Sequence, residues 1–229
     1  MPFIEVRFSM IPRSSYRVLF GCSKKCDVSL PDIKGPSNYH FCLTIDEQNR
    51  FFVKDLGSNA GTEVTYKSKG KGTRRSFKWI VGGDKNAHRE KTIIIKIHDY
   101  IQFKVIAANT ISYANHAPIM SKKFRQGSAA AQDLIQDLDI FRSGTNLHTG
   151  AQTPGEGPIY VKKKIGKGGF GVVIHCWNVS TGVETVIKRP SMEIIKHVAK
   201  NDKGWERWKE EAENMRKLAH VRMPLISLA

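Results

Sequence analysis

Residues 166–173 constrain the fold of this 229-residue chain more than any other segment, because four of these eight residues are glycines. The segment reads Gly-Lys-Gly-Gly-Phe-Gly-Val-Val, which fits the spacing G-x-G-x-x-G-x-V. Residues rich in β-branched and aromatic side chains flank it at 160–165 and 172–179, and a third such run covers 183–188. Such runs favour strands. The pattern therefore predicts a strand, a glycine turn, and two further strands.

Two kinds of phosphate-binding loop share this glycine spacing. In a dinucleotide-binding fold the glycines open a helix whose N-terminus faces the pyrophosphate. In the other kind they join two strands, and the backbone amides of the turn lie over the phosphates because glycine has no side chain to hold the loop away. The residues after Gly171 prefer a strand, which favours the second kind. A plain tight hairpin without a ligand is the remaining alternative.

A lysine and a glutamate follow the hairpin in an informative order. Lys188 ends the next strand, 17 residues after Gly171, and a helix predicted over 205–220 offers Glu211. Together these features resemble the N-lobe of the eukaryotic protein-kinase family over residues 159–220. The resemblance implies ATP as a cofactor, with the lysine on its α and β phosphates and paired with the glutamate. It assigns nucleotide binding to Ile165, Gly166, Gly168, Gly169, Phe170, Gly171, Val173, Val186, Lys188 and Glu211.

The motifs that carry catalysis in that family are missing from this sequence. Phosphoryl transfer by protein kinases uses the Asp of H-R-D, an Asn, and the Asp of D-F-G, which holds magnesium. The 229 residues contain neither motif. We therefore expect no catalytic residue and no magnesium ligand, and a lobe truncated so early that the chain as written does not phosphorylate a substrate.

The first half of the chain is predicted to be β structure. Runs of β-branched and aromatic residues occupy 16–21, 41–46, 50–56 and 91–106, and clusters of Gly, Asn, Asp, Ser and Pro interrupt them. Several short strands at this spacing indicate an antiparallel sandwich. No helical period of useful length occurs before about residue 128.

Three motifs in this half resemble the forkhead-associated (FHA) family over residues 16–112. They are Phe-Gly-Cys at 20–22, Ser-Asn-Tyr-His at 37–40 and Asp-Leu-Gly-Ser-Asn-Ala-Gly-Thr at 55–62. The resemblance implies an eleven-strand sandwich that binds phosphothreonine peptides, with a structural role for His40. It assigns peptide binding to Ser37, Asn38 and Asn59.

The predicted binding chemistry departs from the family pattern at three positions. Cys22 stands where the family has a phosphate-facing Arg, which removes donors worth about 1.5 to 3 kcal/mol. Ala60 replaces an Asn that holds the peptide backbone, and Asn59 replaces a Thr. Lys24, Lys25 or Lys34 are alternative sources of charge. A phosphothreonine-containing protein is thus the expected partner of a degenerate site, and weak or lost binding is the alternative.

Composition divides the chain into three parts. An alanine-rich segment at 128–141 predicts a short helix, and the Gly-, Thr- and Pro-rich residues 143–158 indicate a linker. The expected domains are therefore an FHA-like sandwich at 16–112, a linker at 113–158 and a partial kinase N-lobe at 159–229. The predicted fold class is mainly β plus α+β: an antiparallel β-sandwich followed by a glycine-loop hairpin, a third strand and one helix.

The net charge of +16 is spread unevenly, and the 25 residues 67–91 carry +7 of it, from nine Lys or Arg against Asp84 and Glu90. A basic cluster attracts nucleic acid, anionic lipid or a phosphorylated partner. Because this stretch lacks a recognisable nucleic-acid module, we interpret it as a solvated loop, with nucleic acid bound only by nonspecific electrostatics. No apolar run reaches the roughly 18 residues of a membrane span.

The four cysteines lack zinc-ligand spacing, and no export signal is evident. They predict free thiols in a reducing intracellular compartment and no metal site. The family resemblance implies that this compartment is the nucleus.

The order of the two resemblances is typical of FHA-containing Ser/Thr kinases of the checkpoint type. The leading hypothesis is therefore a fragment of an FHA-linked ATP-dependent protein kinase. A non-catalytic FHA-type scaffold protein with a vestigial kinase lobe is the alternative, and a nucleic-acid binder is a weaker third.

Overall fold

A computed structural model of the chain describes residues 17–90, 92–106, 157–168 and 171–190, together with residues 206, 209, 210, 213 and 214. The chain forms two compact units, Met1–Gly157 and Pro158–Ala229. None of the helices within the described residues is long and apolar enough to cross a membrane.

The described part of the first unit contains eight strands and one short helix. They are β1 (Arg17–Gly21), β2 (Val28–Ser29), β3 (Phe41–Ile45), β4 (Phe51–Asp55), β5 (Glu63–Tyr66), β6 (Lys78–Gly82), α1 (Lys85–Arg89), β7 (Ile93–His98) and β8 (Ile101–Val105). One sheet has the order β2-β1-β3-β4-β6 and the other the order β5-β7-β8. Apart from the parallel β1–β2 pair, the paired strands are antiparallel.

The core of the first unit lies between these two sheets. Phe20 and Phe41 of the first sheet stack with ring centroids 4.3 Å apart. Phe103 of the second sheet meets both rings edge-on, at 5.6 and 6.0 Å. The hydroxyl of Tyr66 in the second sheet also donates a 2.7 Å hydrogen bond to the carbonyl oxygen of Ile80 in the first sheet. These contacts between sheets confirm the predicted β-sandwich.

Residues 67–91, interpreted above as a solvated loop, contain ordered elements, so that interpretation is wrong for β6 and α1. The strand forms because the three consecutive apolar residues Trp79, Ile80 and Val81 are buried, while the preceding Lys78 is exposed. The helix begins after Asp84, whose carboxylate accepts hydrogen bonds from the backbone of Asn86 and Ala87. The net charge of the stretch comes from its exposed residues and gives no sign of the apolar residues that are buried.

Residues 91–106 differ from the sequence prediction in a second way. The predicted single run is two strands, β7 and β8, because the chain turns at Asp99 and Tyr100. At this turn Lys96 pairs with Asp99, with 2.8 Å between Nζ and Oδ1. Within the described residues the unit has eight strands, where the family resemblance implies eleven.

The second unit contains a three-stranded antiparallel sheet in the order β11-β10-β9. Its strands are β9 (Tyr160–Gly168), β10 (Gly171–Asn178) and β11 (Glu184–Pro190). Of the helix predicted over 205–220, the described residues 206, 209, 210, 213 and 214 are helical and exposed. The predicted helix at 128–141 lies outside the described residues, as does the predicted linker up to residue 156.

Candidate functional site

A buried carboxylate organises the loop that follows β4. Asp55 is fully buried, and its Oδ1 accepts hydrogen bonds from the backbone N–H groups of Gly57, Ser58 and Ser76 at 2.9 to 3.0 Å. Its Oδ2 accepts from the hydroxyls of Ser58 at 2.6 Å and Thr62 at 2.7 Å. Hydrogen bonds to a buried charged acceptor are among the stronger ones in proteins. Asp55 therefore holds this loop and the segment before β6 in one conformation.

A buried histidine joins this loop to the segment that precedes β3. The His40 ring accepts a hydrogen bond at Nδ1 from the backbone N–H of Ser37, at 3.1 Å. Its Nε2 therefore carries the proton and donates to the carbonyl oxygen of Gly61, also at 3.1 Å. Burial lowers the pKa of His40, which favours this neutral form. Both ring nitrogens are used in hydrogen bonds within the protein, so the role of His40 is structural.

The three residues predicted to bind peptide lie at these two loops. The backbone N–H of Asn59 donates a 2.8 Å hydrogen bond to the Ser37 hydroxyl oxygen. Ser37 is half-buried, whereas Asn38 and Asn59 are exposed. Because the oxygen of Ser37 serves as the acceptor, its hydroxyl hydrogen is available for donation to a ligand. The structure thus places a half-buried hydroxyl donor in hydrogen-bond contact with the exposed Asn59, and next in sequence to the exposed Asn38.

The Ser37 segment lies against the end of β1. The backbone N–H groups of Cys22 and Ser23 donate to the carbonyl oxygens of Ser37 and Asn38, at 3.0 and 3.1 Å. Gly21 has no room for a side chain, because a Cβ there would meet the Asn38 carbonyl group directly. The glycine of the Phe-Gly-Cys motif is therefore required for the approach of the two backbones.

Cys22 provides no cation at the position where the FHA family has arginine. Its Sγ lies 3.4 Å from the carbonyl oxygen of Pro31 and 3.7 Å from that of Pro36. The pKa of the thiol is raised, mainly by burial and also by the charge of Asp32. A neutral thiol that faces carbonyl oxygens does not replace a guanidinium. Lys24, Lys25 and Lys34, the alternative cations, are exposed.

One residue of this surface was missed by the sequence reasoning. Arg75 is exposed, and its Nη2 donates a hydrogen bond to the carbonyl oxygen of Asn59. The next residue, Ser76, is held by Asp55, so the backbone that carries Arg75 is fixed beside the loop. The residue stands in the basic stretch of the sequence, but its spacing of 16 residues from Asn59 matches no local period that would have revealed the contact.

The second predicted site, in the other unit, lies on one face of the three-stranded sheet. Val173 of β10 pairs with Gly166 of β9 and Lys188 of β11. Val186 lies two residues before the lysine and so projects from the same face. A Cβ at Gly171 would lie 3.6 Å from the Cε of the lysine, so the lysine side chain extends along the hairpin. Four residues predicted to bind nucleotide therefore share a face with the glycine hairpin.

The remaining residues predicted to bind nucleotide have mixed outcomes. Ile165 lies beside the bulge in the β9–β10 pairing and is 55 % exposed. Gly169, Phe170 and Glu211 lie outside the described residues, so the predicted Lys188–Glu211 pair stays a prediction. A strand leaves the hairpin at Gly171, and the alternative in which the glycines open a helix is therefore wrong.

Comparison with known proteins identifies an FHA domain at residues 18–75. Comparison with curated proteins gives no match. A crystal structure of Rad53 in complex with AMP-PNP is similar with 18 % identity and a TM-score of 0.38, and the match covers 84 % of this chain and 41 % of that chain. This chain thus spans about two fifths, 41 %, of the length of that structure.

Two further solved structures are similar to part of the chain. The N-terminal FHA domain of S. cerevisiae Rad53p in complex with a phosphothreonine peptide has 16 % identity and a TM-score of 0.33, over 46 % of this chain and 82 % of that chain. An engineered FHA with a Myc-pTBD peptide has 18 % identity and a TM-score of 0.30, over 44 % of this chain and 75 % of that chain.

Proposed function

We propose that the FHA domain of this chain binds phosphothreonine-containing protein segments at the surface formed by Ser37, Asn38 and Asn59. The observation that carries the proposal is the hydrogen bond from the Asn59 N–H to the Ser37 hydroxyl oxygen. It uses the serine oxygen as an acceptor and so leaves the hydroxyl hydrogen available for donation to a ligand phosphate. The exposed amide of Asn59 stands beside it to hold the backbone of the bound peptide.

The surface is organised before any ligand binds. Asp55 holds the loop that carries Asn59, and His40 links that loop to Ser37. Binding then costs little conformational entropy on the side of the protein, because these backbone positions are already ordered. The affinity depends mainly on the donors offered to the phosphate and on the peptide residues that flank it.

Replacing Ser37 with alanine is expected to weaken binding of phosphothreonine peptides about tenfold or more, since a hydrogen bond to a charged group is worth about 1.5 to 3 kcal/mol. The measurement is fluorescence polarisation of a labelled degenerate phosphothreonine peptide pool with the full chain. The loop itself should persist, because the N–H released at the exposed Asn59 can bond to water.

Two controls accompany the Ser37→Ala variant. Ser29→Ala makes the same change at an exposed position in β2 and is expected to leave affinity unchanged. The same peptide pool without phosphate tests whether the modification is recognised. Equal binding of both pools by the unaltered chain, or equal affinities of the two variants, contradicts the proposal.

We further propose that the chain is part of an FHA-linked Ser/Thr protein kinase whose second unit binds ATP on the hairpin face. The support is geometric: Gly166, Val173, Val186 and Lys188 lie on one face of the sheet. Apolar side chains beside a lysine and a glycine hairpin suit an adenine ring and its phosphates. In such a protein the FHA domain raises the effective concentration of a phosphorylated partner near the tethered lobe.

The Lys188→Ala variant tests the nucleotide site. We expect it to bind the fluorescent analogue TNP-ATP about tenfold more weakly than the unaltered chain, because it loses a charge-assisted contact with phosphate. Arg189→Ala is the matched control, since it removes one positive charge from the neighbouring residue of β11, which faces the other side of the sheet. Equal losses in both variants would indicate general electrostatic attraction and refute the site.

The peptide and TNP-ATP measurements together also distinguish an FHA-linked kinase from the alternative function. Phosphopeptide binding by a chain that shows no binding of TNP-ATP would favour a non-catalytic FHA-type scaffold with a vestigial kinase lobe.

A further inference from the structure

We propose that Arg75 supplies the cation of the phosphothreonine site, in place of the arginine that is missing at position 22. The inference rests on the proposed function of the FHA domain and adds the residue that neutralises the phosphate. The juxtaposition that carries it is a continuous path of hydrogen bonds: Arg75 Nη2 donates to the carbonyl oxygen of Asn59, and the N–H of Asn59 donates to the Ser37 hydroxyl oxygen at 2.8 Å.

A phosphothreonine site needs a positive charge. The phosphate carries about −1.5 to −2 charges at pH 7 and presents three strong acceptor oxygens. A single neutral hydroxyl leaves most of this charge uncompensated, and Cys22 offers only a thiol that faces carbonyl oxygens. The cation has to come from another position in the sandwich.

Arg75 meets this need by its position and its exposure. Its guanidinium contacts the carbonyl oxygen of Asn59, and the Ser37 hydroxyl contacts the N–H of the same residue. In the proposed site one phosphate accepts hydrogen bonds from both side chains. The guanidinium has five N–H donors, and the carbonyl of Asn59 occupies one of them. Within residues 17–90 the guanidinium has no carboxylate partner, so its charge is not already neutralised there.

The backbone that carries Arg75 is held at the site. Asp55, which organises the Asn59 loop, also accepts the N–H of Ser76. One buried carboxylate thus places the loop and the arginine together. The contact with the Asn59 carbonyl then orients the planar guanidinium, and planar donors suit two-point recognition of phosphate oxygens.

The test measures binding of the degenerate phosphothreonine peptide pool to the full chain and to three variants. Arg75→Ala is expected to lower affinity about 10- to 100-fold, the range for a lost charge-assisted contact. Lys71→Ala removes the same charge from an exposed position in the same stretch, and we expect less than about a twofold change because exposed charges act weakly at a distance. Arg75→Lys should fall between them, since lysine keeps the charge and loses the planar fork.

A second readout distinguishes phosphate contact from a structural role of Arg75. In a double-mutant cycle, Ser37→Ala and Arg75→Ala should be non-additive by about threefold or more, because both side chains contact one phosphate. A residue that only shapes the loop would also change the low affinity for the unphosphorylated pool and the thermal unfolding midpoint of the first unit. We expect neither quantity to change in the Arg75→Ala variant.

The outcomes separate this inference from the proposed function. If the unaltered chain binds the phosphorylated and unphosphorylated pools equally, the phosphopeptide function is wrong. If it prefers the phosphorylated pool and loses the same affinity with Arg75→Ala as with Lys71→Ala, the function stands and the assignment of Arg75 is overturned.

Discussion

The Asp55→Ala variant is expected to lose about 3 to 5 kcal/mol of the free energy of unfolding of the first unit. The carboxylate of Asp55 accepts five hydrogen bonds from four residues while it is fully buried. Removing it leaves these donors without their acceptor and opens a cavity that is polar on one side. A buried donor that loses its partner costs more than the bond itself contributed.

Asp46→Ala is the matched control for this substitution. Asp46 also accepts hydrogen bonds, from the backbone of Gln48 and Arg50 and from the guanidinium of Arg50, but its side chain is 27 % exposed. Water can replace it, so we expect a loss of about 1 kcal/mol or less. The measurement is urea unfolding of the full chain, read by hydrogen exchange of peptides from β3 and β4. Similar losses in the two variants would contradict the organising role of Asp55.

Gly21→Ala is expected to destabilise the first unit by about 3 kcal/mol and to abolish phosphopeptide binding. A Cβ at this position would lie 2.6 Å from the carbonyl carbon of Asn38 and 2.9 Å from the Cα of Tyr39. These are backbone atoms that β1 and the Ser37 segment hold by hydrogen bonds, so they cannot turn aside as the end of a side chain would. The segment that carries Ser37 must separate from β1.

Gly82→Ala provides the comparison for Gly21→Ala. Gly82 lies in a strand of the same sheet, and the atoms nearest to a Cβ there would belong to the side chain of Phe51, at 3.3 Å and beyond. That ring can move by a few tenths of an ångström, so we expect a smaller loss of stability and unchanged peptide affinity. Circular dichroism during thermal unfolding and the peptide titration report the two effects. A Gly21→Ala chain that still binds the phosphorylated pool would refute the close approach.

Much of the sandwich follows from local patterns in the sequence. The runs predicted at 41–46 and 50–56 became β3 and β4 with ends shifted by one residue or less. Both strands are rich in aromatic and β-branched residues, which favour strands, and this composition is a local property. The glycine hairpin was also predictable from the sequence. The residues after Gly171 are β-branched or aromatic for the most part, which favours a strand over a helix.

Strand β6 was not predicted, because its apolar residues lie within a stretch that is rich in basic residues. Strand β6 occupies Lys78–Gly82, where the count of basic residues indicated a loop. Trp79 is fully buried there while the preceding lysine is exposed. Net charge averages over both faces of a strand, so it says little about the face that packs.

The sequence by itself determined most of the strands, their order, and the motif residues Ser37, His40 and Asp55. Only the tertiary structure decided which of the distant groups meet. Asn59 reaches a serine 22 residues earlier in the chain, and Arg75 reaches Asn59 across 16 residues. No local periodicity encodes these contacts, because they depend on two buried side chains, His40 and Asp55, that hold separate loops at fixed positions on the sandwich.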